Sequence, residues 1–327
     1  MVKPLVAGLS VFWVLAILIR VTSRDTGGTI ASLIFYMSPL ILLSLGAALF
    51  FLLAVWVRWY RVALIWLLMS LITGNWCYQS QFRSNSLDDQ VREDTVKPIR
   101  VLFWNVGDRI WSEEHMVREI RHVDADLVGL VEAGSYSAET SVFWQKKFPE
   151  YRYRLEHSGF VLLSRYPVVS QETGKLARMG TYWRLAVLPQ QTPSGGDEVP
   201  GGMTVFLVDI FSHVLRSRKD ALDQLAGLVA ESDDQPVLVL GDFNTPGDSN
   251  HFRRLRKWCR NTFEVAGDGF NATWPMPFPV LDLDTIWVNR HFQVLSAENR
   301  SIWFSDHRPV VAAMSLQTKL PAQRVSP

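Results

Sequence analysis

The 327-residue chain lacks the features of a disulfide-stabilised protein and of a protein that coats nucleic acid. It has two cysteines, Cys77 and Cys259, and Cys77 lies in an apolar segment, so the sequence indicates no disulfide framework and leaves the redox compartment open. The net charge of +1 argues against a strongly basic nucleic-acid-coating protein. Acidic side chains are almost absent from residues 1 to about 80, and nearly all charge lies beyond Arg83. The chain therefore divides into an apolar N-terminal part and a remainder with the length of an ordinary globular domain.

Three stretches of the apolar part have no charged side chain, and they cover residues 5–19, 30–57 and 62–78. Because a helix needs about 20 apolar residues to cross the hydrocarbon layer, these stretches predict three transmembrane helices within residues 1–80. A cleaved signal peptide is the alternative for the first stretch, although residues 20–24 offer no clear small-x-small cleavage site. The middle stretch has no polar face, which disfavours a soluble bundle. We therefore expect an integral membrane protein, with the lipid bilayer as a partner and no protein partner.

Basic residues flank the apolar stretches on both sides, so they give only a weak indication of which side of the membrane each end occupies. Lys3 and the hairpin at residues 58–61 lie on one side, and Arg20, Arg24 and Arg83 lie on the other. The compact basic hairpin favours a cytoplasmic position for itself, which would place the following domain outside the cytoplasm. Residues 81–98 are polar and mixed in charge, so they are expected to form a linker.

Short apolar runs alternate with helical patterns over residues 99–316, which predicts a layered α/β domain. Strands are expected over residues 99–104, 127–131, 160–163, 185–188, 204–209, 237–242, 283–288 and 310–314, and helices over 113–122, 217–230 and 251–259. Most of these strands are apolar almost throughout, so both of their faces should be buried. Residues 317–327 are left as a C-terminal tail.

Several of these buried strands begin or end with polar groups of one kind. The groups are Asn105, Glu132, Asp242, Asn244, Asp284, Asp306 and His307. A single Asp or Asn after a strand is explained by a capped turn, but five strand ends with such groups indicate a shared site. Oxygen ligands together with one histidine suit a Mg²⁺ ion and an activated water.

The ordered motifs WNVG, LVE, GFVLLSRYP, GDFN, DLDTIWV and SDHRPV resemble those of the endonuclease/exonuclease/phosphatase superfamily. This resemblance runs from about residue 99 to residue 314, and GDFN followed by SDHRPV is its most specific part. It implies a four-layer α/β sandwich, with two central mixed sheets flanked by helices, which would follow the N-terminal transmembrane helical region expected from the apolar stretches. It also implies metal-dependent cleavage of phosphate esters, with Mg²⁺ as the expected ion and Mn²⁺ as the alternative.

The resemblance further implies a role for each polar group. Glu132 would be the principal metal ligand, with Asn105 beside it and Asp306 near the metal. Asp242 would position or deprotonate the attacking water, and Asn244 would hold a phosphate oxygen. The general base or transition-state stabiliser would be His307, oriented by Asp284.

One position departs from the family pattern. The strand before the helix at residues 217–230 commonly ends in a histidine that contacts the phosphate or acts as an acid. Here Asp209 fills that position and His213 follows four residues later, which puts the leaving-group step in doubt. Arg165 is expected to serve structure, and Trp274 either faces substrate or packs. The remaining histidines, His115, His122, His157, His251 and His291, are expected to be solvated.

The sequence therefore predicts a membrane-tethered, metal-dependent phosphoesterase that acts on a phosphodiester or a phosphomonoester. The alternative is a catalytically inactive binding module of the same fold, which would have no need to retain the whole polar set. Nucleic acid, phospholipid and inositol phosphate all stay open as substrates. Residues 253–260 contain the densest basic cluster, and such a cluster on a helix is more often a solvated face.

Overall fold

The computed structural model describes residues 2–84, 98–109, 112–134, 138–189 and 202–317. Its N-terminal part is helical, with α1 (Val2–Val21), α2 (Thr29–Met37), α3 (Leu40–Trp56) and α4 (Tyr60–Gln81). Among the described residues, α4 alone is long and apolar enough to cross a membrane as a single straight helix, and α2 with α3 would reach that length only as a bent pair.

The helix predicted over residues 30–57 is in fact two helices, because the chain bends by 76° between α2 and α3. Pro39 stands at the bend, where it has no N–H to donate and cannot continue the preceding helix. At the bend, carbonyl oxygens at the end of α2 lose their helical N–H donors and accept hydrogen bonds from a side chain instead. Arg20 donates to the carbonyl oxygens of Phe35 and Ser38 at 2.9 and 3.0 Å. A buried cation at the C-terminal end of α2 also suits the helix dipole.

The rest of the described chain forms two sheets and four more helices. The strands are β1 (Phe82–Arg83), β2 (Ile99–Asn105), β3 (Leu127–Val131), β4 (Tyr153–His157), β5 (Phe160–Ser164), β6 (Val168–Lys175), β7 (Gly180–Val187), β8 (Met203–Ile210), β9 (Val237–Asp242), β10 (Cys259–Asn261), β11 (Gly267–Phe270), β12 (Asp284–Asn289), β13 (Phe292–Asn299) and β14 (Val310–Leu316). The helices are α5 (Glu113–Val123), α6 (Ala138–Lys147), α7 (Lys219–Ala230) and α8 (Thr262–Ala266). One sheet has the order β1-β11-β13-β14-β2-β3-β5-β4, and the other has the order β10-β12-β9-β8-β7-β6.

These elements form the predicted sandwich of two mixed sheets between helices. Apolar side chains of the two sheets meet in a central core, for example Phe103 of β2 and Leu240 of β9. Helices α5 and α6 cover the outer face of the first sheet, and α7 covers that of the second. At Gly129 the sheets approach so closely that an added Cβ would lie 2.8 Å from the Leu207 side chain.

The helix predicted over residues 251–259 is wrong. The structure has two short 3-10 turns there, at residues 250–253 and 255–257, and then strand β10. The Ser249 side chain accepts from the His251 N–H and starts the first turn. Arg256 donates to the Gly247 carbonyl and to Glu264, so the segment is held by contacts outside itself and does not extend into a regular helix.

One edge of the sandwich collects the polar groups, and we call it the polar edge. The parallel strands β2 and β3 end there at Asn105 and Val131, and the parallel strands β8 and β9 end there at Ile210 and Asp242. The antiparallel strands β12 and β14 begin there, because Asp284 is paired with Asp242 and Val310 with Phe103. The topology therefore brings both sheets' polar ends together.

The helical part joins the sandwich at this same edge. Helix α4 runs directly into β1, which pairs antiparallel with β11 so that Phe82 lies opposite Phe270. The Gln81 carbonyl accepts from the Asn271 N–H at 2.8 Å. Because β11 is parallel to β13, and β13 ends at the polar edge, α4 also arrives there. The predicted linker over residues 81–98 therefore starts with an ordered helix end and strand, while residues 85–97 lie outside the described residues.

A buried polar network makes a second joint between the helices and the sandwich. Asp25, which follows α1, is 3% exposed and accepts from the Asn250 N–H at 3.1 Å and from the Ser249 hydroxyl. The His251 Nε2 lies 3.5 Å from the Asp25 carboxylate, so this histidine is buried and partnered, and the prediction that it is solvated is wrong. Arg20 adds an ion pair to Asp248 at 2.9 Å.

Candidate active site

Asn105 connects the two sheets across the polar edge. Its amide Nδ2 donates to Glu132 Oε1 and to Asp242 Oδ2, each at 3.0 Å, while its Oδ1 accepts from the Gly107 N–H. Asn105 is fully buried, so the amide is fixed in place. It therefore holds the carboxylates of Glu132 and Asp242 beside each other. The predicted metal-ligand role of Asn105 stays a prediction.

His307 and Asp284 form a hydrogen-bonded pair. The His307 Nδ1 lies 2.8 Å from Asp284 Oδ2, and both side chains are buried. Its Nε2 lies 3.9 Å from an oxygen of Asp242. Burial by itself lowers the pKa of His307, but the adjacent Asp284 and Asp242 carboxylates outweigh it and raise the pKa to about 10. The Asp284 carboxylate therefore orients the His307 ring, with its Nε2 on the side of Asp242, and favours the protonated form of the imidazole.

Carboxylates crowd the centre of the site. Oxygens of Glu132, Asp209 and Asp242 lie within 4.8 Å of one another. Burial, followed by the charge of Asp284, raises the pKa of Asp242 well above its ordinary value. Burial, followed by the charge of Glu132, raises the pKa of Asp209 to about 7. Such groups repel one another unless a proton or a cation lies among them.

Two residues of the site have a backbone conformation that favours glycine. Glu132 has φ +48°, and Asn244 has φ +45°. Asparagine tolerates this left-handed region, whereas glutamate there is strained by about 1–2 kcal/mol. The Asn244 N–H donates to Asp242 Oδ1 at 2.9 Å, and its Nδ2 donates to the Ile210 carbonyl at 2.8 Å. The contact with Asp242 uses the backbone N–H, and the contact with Ile210 uses one of the two hydrogens on Nδ2. The second hydrogen of the Asn244 side-chain amide is therefore left for a ligand.

Asp306 lies at the outer side of the site. Its Oδ2 accepts from the Trp274 indole at 3.3 Å and lies 3.9 Å from the His307 Nε2. With 44% of its side chain exposed, it is the more open neighbour of His307. Trp274 therefore packs beside the site and orients an acidic group there.

A cleft of about 490 Å³ opens next to this centre. Its lining includes Glu132 and Asp209 together with Asp108 and Phe160. Two of the crowded carboxylates, Glu132 and Asp209, are therefore part of the wall of an open cleft.

The structure also shows which predicted residues lie elsewhere. His213 is exposed in the loop after β8, and Asp209 occupies the strand end next to Asp242, as the sequence suggests. Arg165 pairs with Asp124 and Asp126 away from the site, which supports its structural role.

Two hydroxyl groups that support the site were not predicted from the sequence. The Thr273 hydroxyl accepts from the N–H groups of Leu283 and Asp284 and so fixes the start of β12. The Ser305 hydroxyl donates to the Asn105 carbonyl at 2.8 Å and accepts from the His307 N–H. Ser305 belongs to the SDHRPV motif, which could have identified it, whereas no sequence signal singles out Thr273.

Comparisons with known proteins agree with this fold. The model of the Endonuclease/Exonuclease/phosphatase family matches residues 102–307. A protein of that family from Bacteroides thetaiotaomicron has 12% identity and a TM-score of 0.55, over 68% of this chain and 99% of that one. The mannosyl-6-phosphatase of B. thetaiotaomicron VPI-5482 also has 12% identity and a TM-score of 0.55, over 67% and 100%.

The catalytic domain of human Nocturnin, solved with bound sulfate, has 15% identity and a TM-score of 0.50, over 67% of this chain and 94% of that one. No curated protein sequence matches the chain. Identities this low establish the shared fold, and the family model covers more than half of the chain. The chain is therefore a member of the endonuclease/exonuclease/phosphatase family.

Proposed function

We propose that this protein is a membrane-anchored hydrolase of phosphate esters that depends on a divalent cation. The observation that carries the proposal is the meeting of Glu132, Asp242 and the His307–Asp284 pair at one edge of the sandwich. Acid, amide and imidazole groups from both sheets converge there beside an open cleft.

The residues present fit a hard cation. The donors are carboxylate oxygens, which Mg²⁺ and Mn²⁺ prefer, and their crowding would be relieved by positive charge. Among the described residues, the buried Oδ1 of Asp284 has no hydrogen-bond partner, so this group also has capacity for a ligand. Glu132 would hold the ion, with Asp209 and Asp242 beside it. When bound, such an ion neutralises phosphate charge and makes water more acidic.

The protein's own groups then divide the reaction between them. Asp242 accepts the proton of the attacking water as the new bond between water oxygen and phosphorus forms. The bond between phosphorus and the ester oxygen breaks, the leaving alcohol oxygen takes a proton from solvent water, and Asp242 later returns its proton to solvent. The free hydrogen of the Asn244 amide donates to a phosphate oxygen without adding negative charge. The cationic His307 stabilises the charge that develops on phosphorus-bound oxygens.

Helix α4 supplies the membrane anchor in this proposal. It has 22 residues, enough to cross a hydrocarbon layer about 30 Å thick, and most of it is not covered by other residues. Helix α3 packs beside it, and α1 packs against α3, which extends the apolar surface.

The experiment uses the full chain purified in detergent, with phosphate monoesters and diesters as substrates. We expect hydrolysis that requires Mg²⁺ or Mn²⁺ and that a chelator abolishes. Glu132→Gln and Asp242→Asn should each lower turnover by at least about a hundredfold, and Asp268→Asn, an exposed control on β11, should not. Full activity in chelator would refute metal dependence. Calorimetric Mg²⁺ binding without hydrolysis of any ester would favour the inactive binding module.

A further inference from the structure

We infer that the polar edge faces the lipid bilayer, and that the loops around the active site are seated in its headgroup layer. The substrate class is then a phosphate ester carried by a membrane lipid. This inference rests on the proposed function, because it takes α4 as a membrane anchor and the site as a phosphoesterase. The helices meet the sandwich at the polar edge, where α4 runs into β1.

Helix α4 brings the membrane surface close to the active site. Its last turns contain Trp76 and Tyr78, and Tyr78 is 66% exposed. Aromatic side chains of this kind mark the boundary between hydrocarbon and headgroups. Gln81 follows Tyr78 by three residues, or about 4.5 Å along a helix, and its carbonyl is already bonded to Asn271 at the polar edge. The headgroup layer thus begins beside the loop that precedes Asp284.

The other helices show that the sandwich sits over one end of the bundle. Lys3 at the start of α1 lies 5.7 Å from the Trp59 ring in the turn between α3 and α4, so these segments share the far end. Asp25, after α1, contacts Asn250 in the loop that follows the active-site strand β9. Arg218 lies 4.3 Å from the ring of Tyr36 on α2. Every described joint to the sandwich therefore lies at the near end of the bundle.

Exposed apolar side chains surround the site on this edge, and we call them the apolar rim. The rim consists of Phe211, Val214 and Leu215 after β8, Phe278 before β12, and Trp303 before β14. Phe278 is 79% exposed and Trp303 is 65% exposed, the highest values among the large apolar side chains described for the sandwich. Large apolar groups clustered at the mouth of a polar site are typical of an interaction surface.

The chemistry of the rim fits a headgroup layer. Phe, Trp and Leu favour the boundary between headgroups and acyl chains, and the exposed Arg216 lies among them in the loop after β8. A basic side chain at this level attracts the phosphates of lipids. The cleft lined by Glu132 and Asp209 also includes Val131 and Phe160, the end of β3 and the start of β5, so it lies at the same edge, within reach of a headgroup phosphate at the membrane surface.

The surface is less suited to a nucleic acid. In the structure, the basic side chains of residues 253–260 are partly used by the protein itself. Arg256 pairs with Glu264, Arg254 lies 3.9 Å from Asp223, and Arg260 donates to the Phe292 carbonyl. These contacts engage three of the five basic side chains of the segment with protein groups, which makes the segment less suited to a phosphate backbone.

The first test measures position and needs no catalysis. Cys77 and Cys259 are buried, so a new surface cysteine can be labelled selectively with an environment-sensitive fluorophore. The full chain in phosphatidylcholine nanodiscs is labelled in the variants Phe278→Cys, Leu68→Cys and Val169→Cys. Leu68 on α4 reports anchorage, and Val169 is 59% exposed at the opposite edge of the sandwich.

We expect brominated lipid to quench the labels at positions 278 and 68, and not the label at position 169. A label at position 278 as unquenched as that at position 169, while position 68 is quenched, overturns the inference and leaves the anchor intact. Quenching at position 278 with no hydrolysis of any ester keeps the seated surface and refutes the proposed enzymatic function.

The second test measures substrate choice with the variant Phe278→Ser/Trp303→Ser and the control Val169→Ser/Leu188→Ser. Phosphatidylcholine vesicles with phosphatidic acid supply a monoester, and vesicles with phosphatidylglycerol supply a diester. We expect the rim variant to lose at least about tenfold in rate on the vesicle substrate, as two lost membrane contacts imply, and to keep its rate on a soluble nitrophenyl ester. An equal loss on both substrates, or faster cleavage of DNA or RNA than of either lipid, overturns the inference.

Discussion

Asp209 and Asp242 are paired in register on the parallel strands β8 and β9, and their carboxylates point into one site with Glu132. The resemblance in the sequence motifs led us to expect a histidine at the position of Asp209. In this chain an acidic group therefore replaces a basic one directly beside the site. The replacement suits cation binding better than protonation of a leaving group, since an ionised carboxylate repels phosphate.

Asp209→Asn tests this difference. We expect the activating Mg²⁺ concentration to rise by about tenfold or more, because a carboxylate beside the ion is lost. Magnesium titrations of activity, together with calorimetric binding, would show it. An unchanged Mg²⁺ requirement would show that Asp209 acts as a neutral group.

His307 should be more important than His213. His307 is buried and held by Asp284, whereas His213 is exposed in a loop and less rigidly placed. We expect His307→Ala to lower kcat by at least about a hundredfold and His213→Ala to have a smaller effect. Steady-state kinetics on one ester across a range of pH would compare them. Equal losses would assign the leaving-group step to His213.

Asp25 should be required to hold the helices against the sandwich. It is buried among Ser249, Asn250 and His251, and its removal would take away the buried acceptor of the Ser249 hydroxyl and the Asn250 N–H. Asp25→Ala should destabilise the full chain by about 3–5 kcal/mol, while Thr26→Ala at the adjacent exposed position should have little effect. Denaturant unfolding in detergent measures both. Equal stabilities of the two variants would show that the network contributes little.

Asp282 should make stability depend on pH. Burial, followed by the charge of Asp248, raises its pKa to about 7, compared with about 3.9 in an unfolded chain. Between these values the folded state holds the proton and the unfolded state does not. This group's contribution to stability is therefore full at low pH and falls as pH rises toward 7, by up to about 1.4 kcal/mol per pH unit.

Asp282→Asn keeps an oxygen acceptor for the Gly247 N–H and the Asn271 amide, and it cannot ionise. We expect the difference in Tm between this variant and the unchanged chain to grow in the variant's favour from pH 5 to pH 7. Asp268→Asn is the exposed control and should show no such trend. Parallel pH profiles for all three proteins would contradict the assignment.

The sequence was most informative where strands are buried on both faces. β3 and β9 are continuous apolar runs with every residue buried, and their predicted bounds agree with the structure. β6 was missed because it is an exposed edge strand with a largely polar sequence. The two residues of β1 are too few to produce a pattern, and they form a strand only because β11 offers them an edge.

The residues of the site were likewise predictable where a local sequence pattern marks them and unpredictable where it does not. The charged and amide groups at strand ends could be identified because they interrupt apolar runs and match family motifs. The error at His251 has a different cause: its partner Asp25 belongs to the helical part, far away in sequence. No local pattern reports a contact between two such distant segments. Thr273 was missed for the same reason, since its role depends on where β12 begins.

Strand β1 has a consequence for the covalent connection between the two parts of the chain. It lies before residues 85–97 in sequence, yet it pairs with β11, which belongs to the C-terminal third of the chain. The helices are thus attached to the sandwich twice, once by the polypeptide and once by this pairing with the Asp25 network. A protease cut between residues 85 and 97 would therefore leave two fragments that stay assembled, and the nicked protein would migrate as one particle until a denaturant separated them.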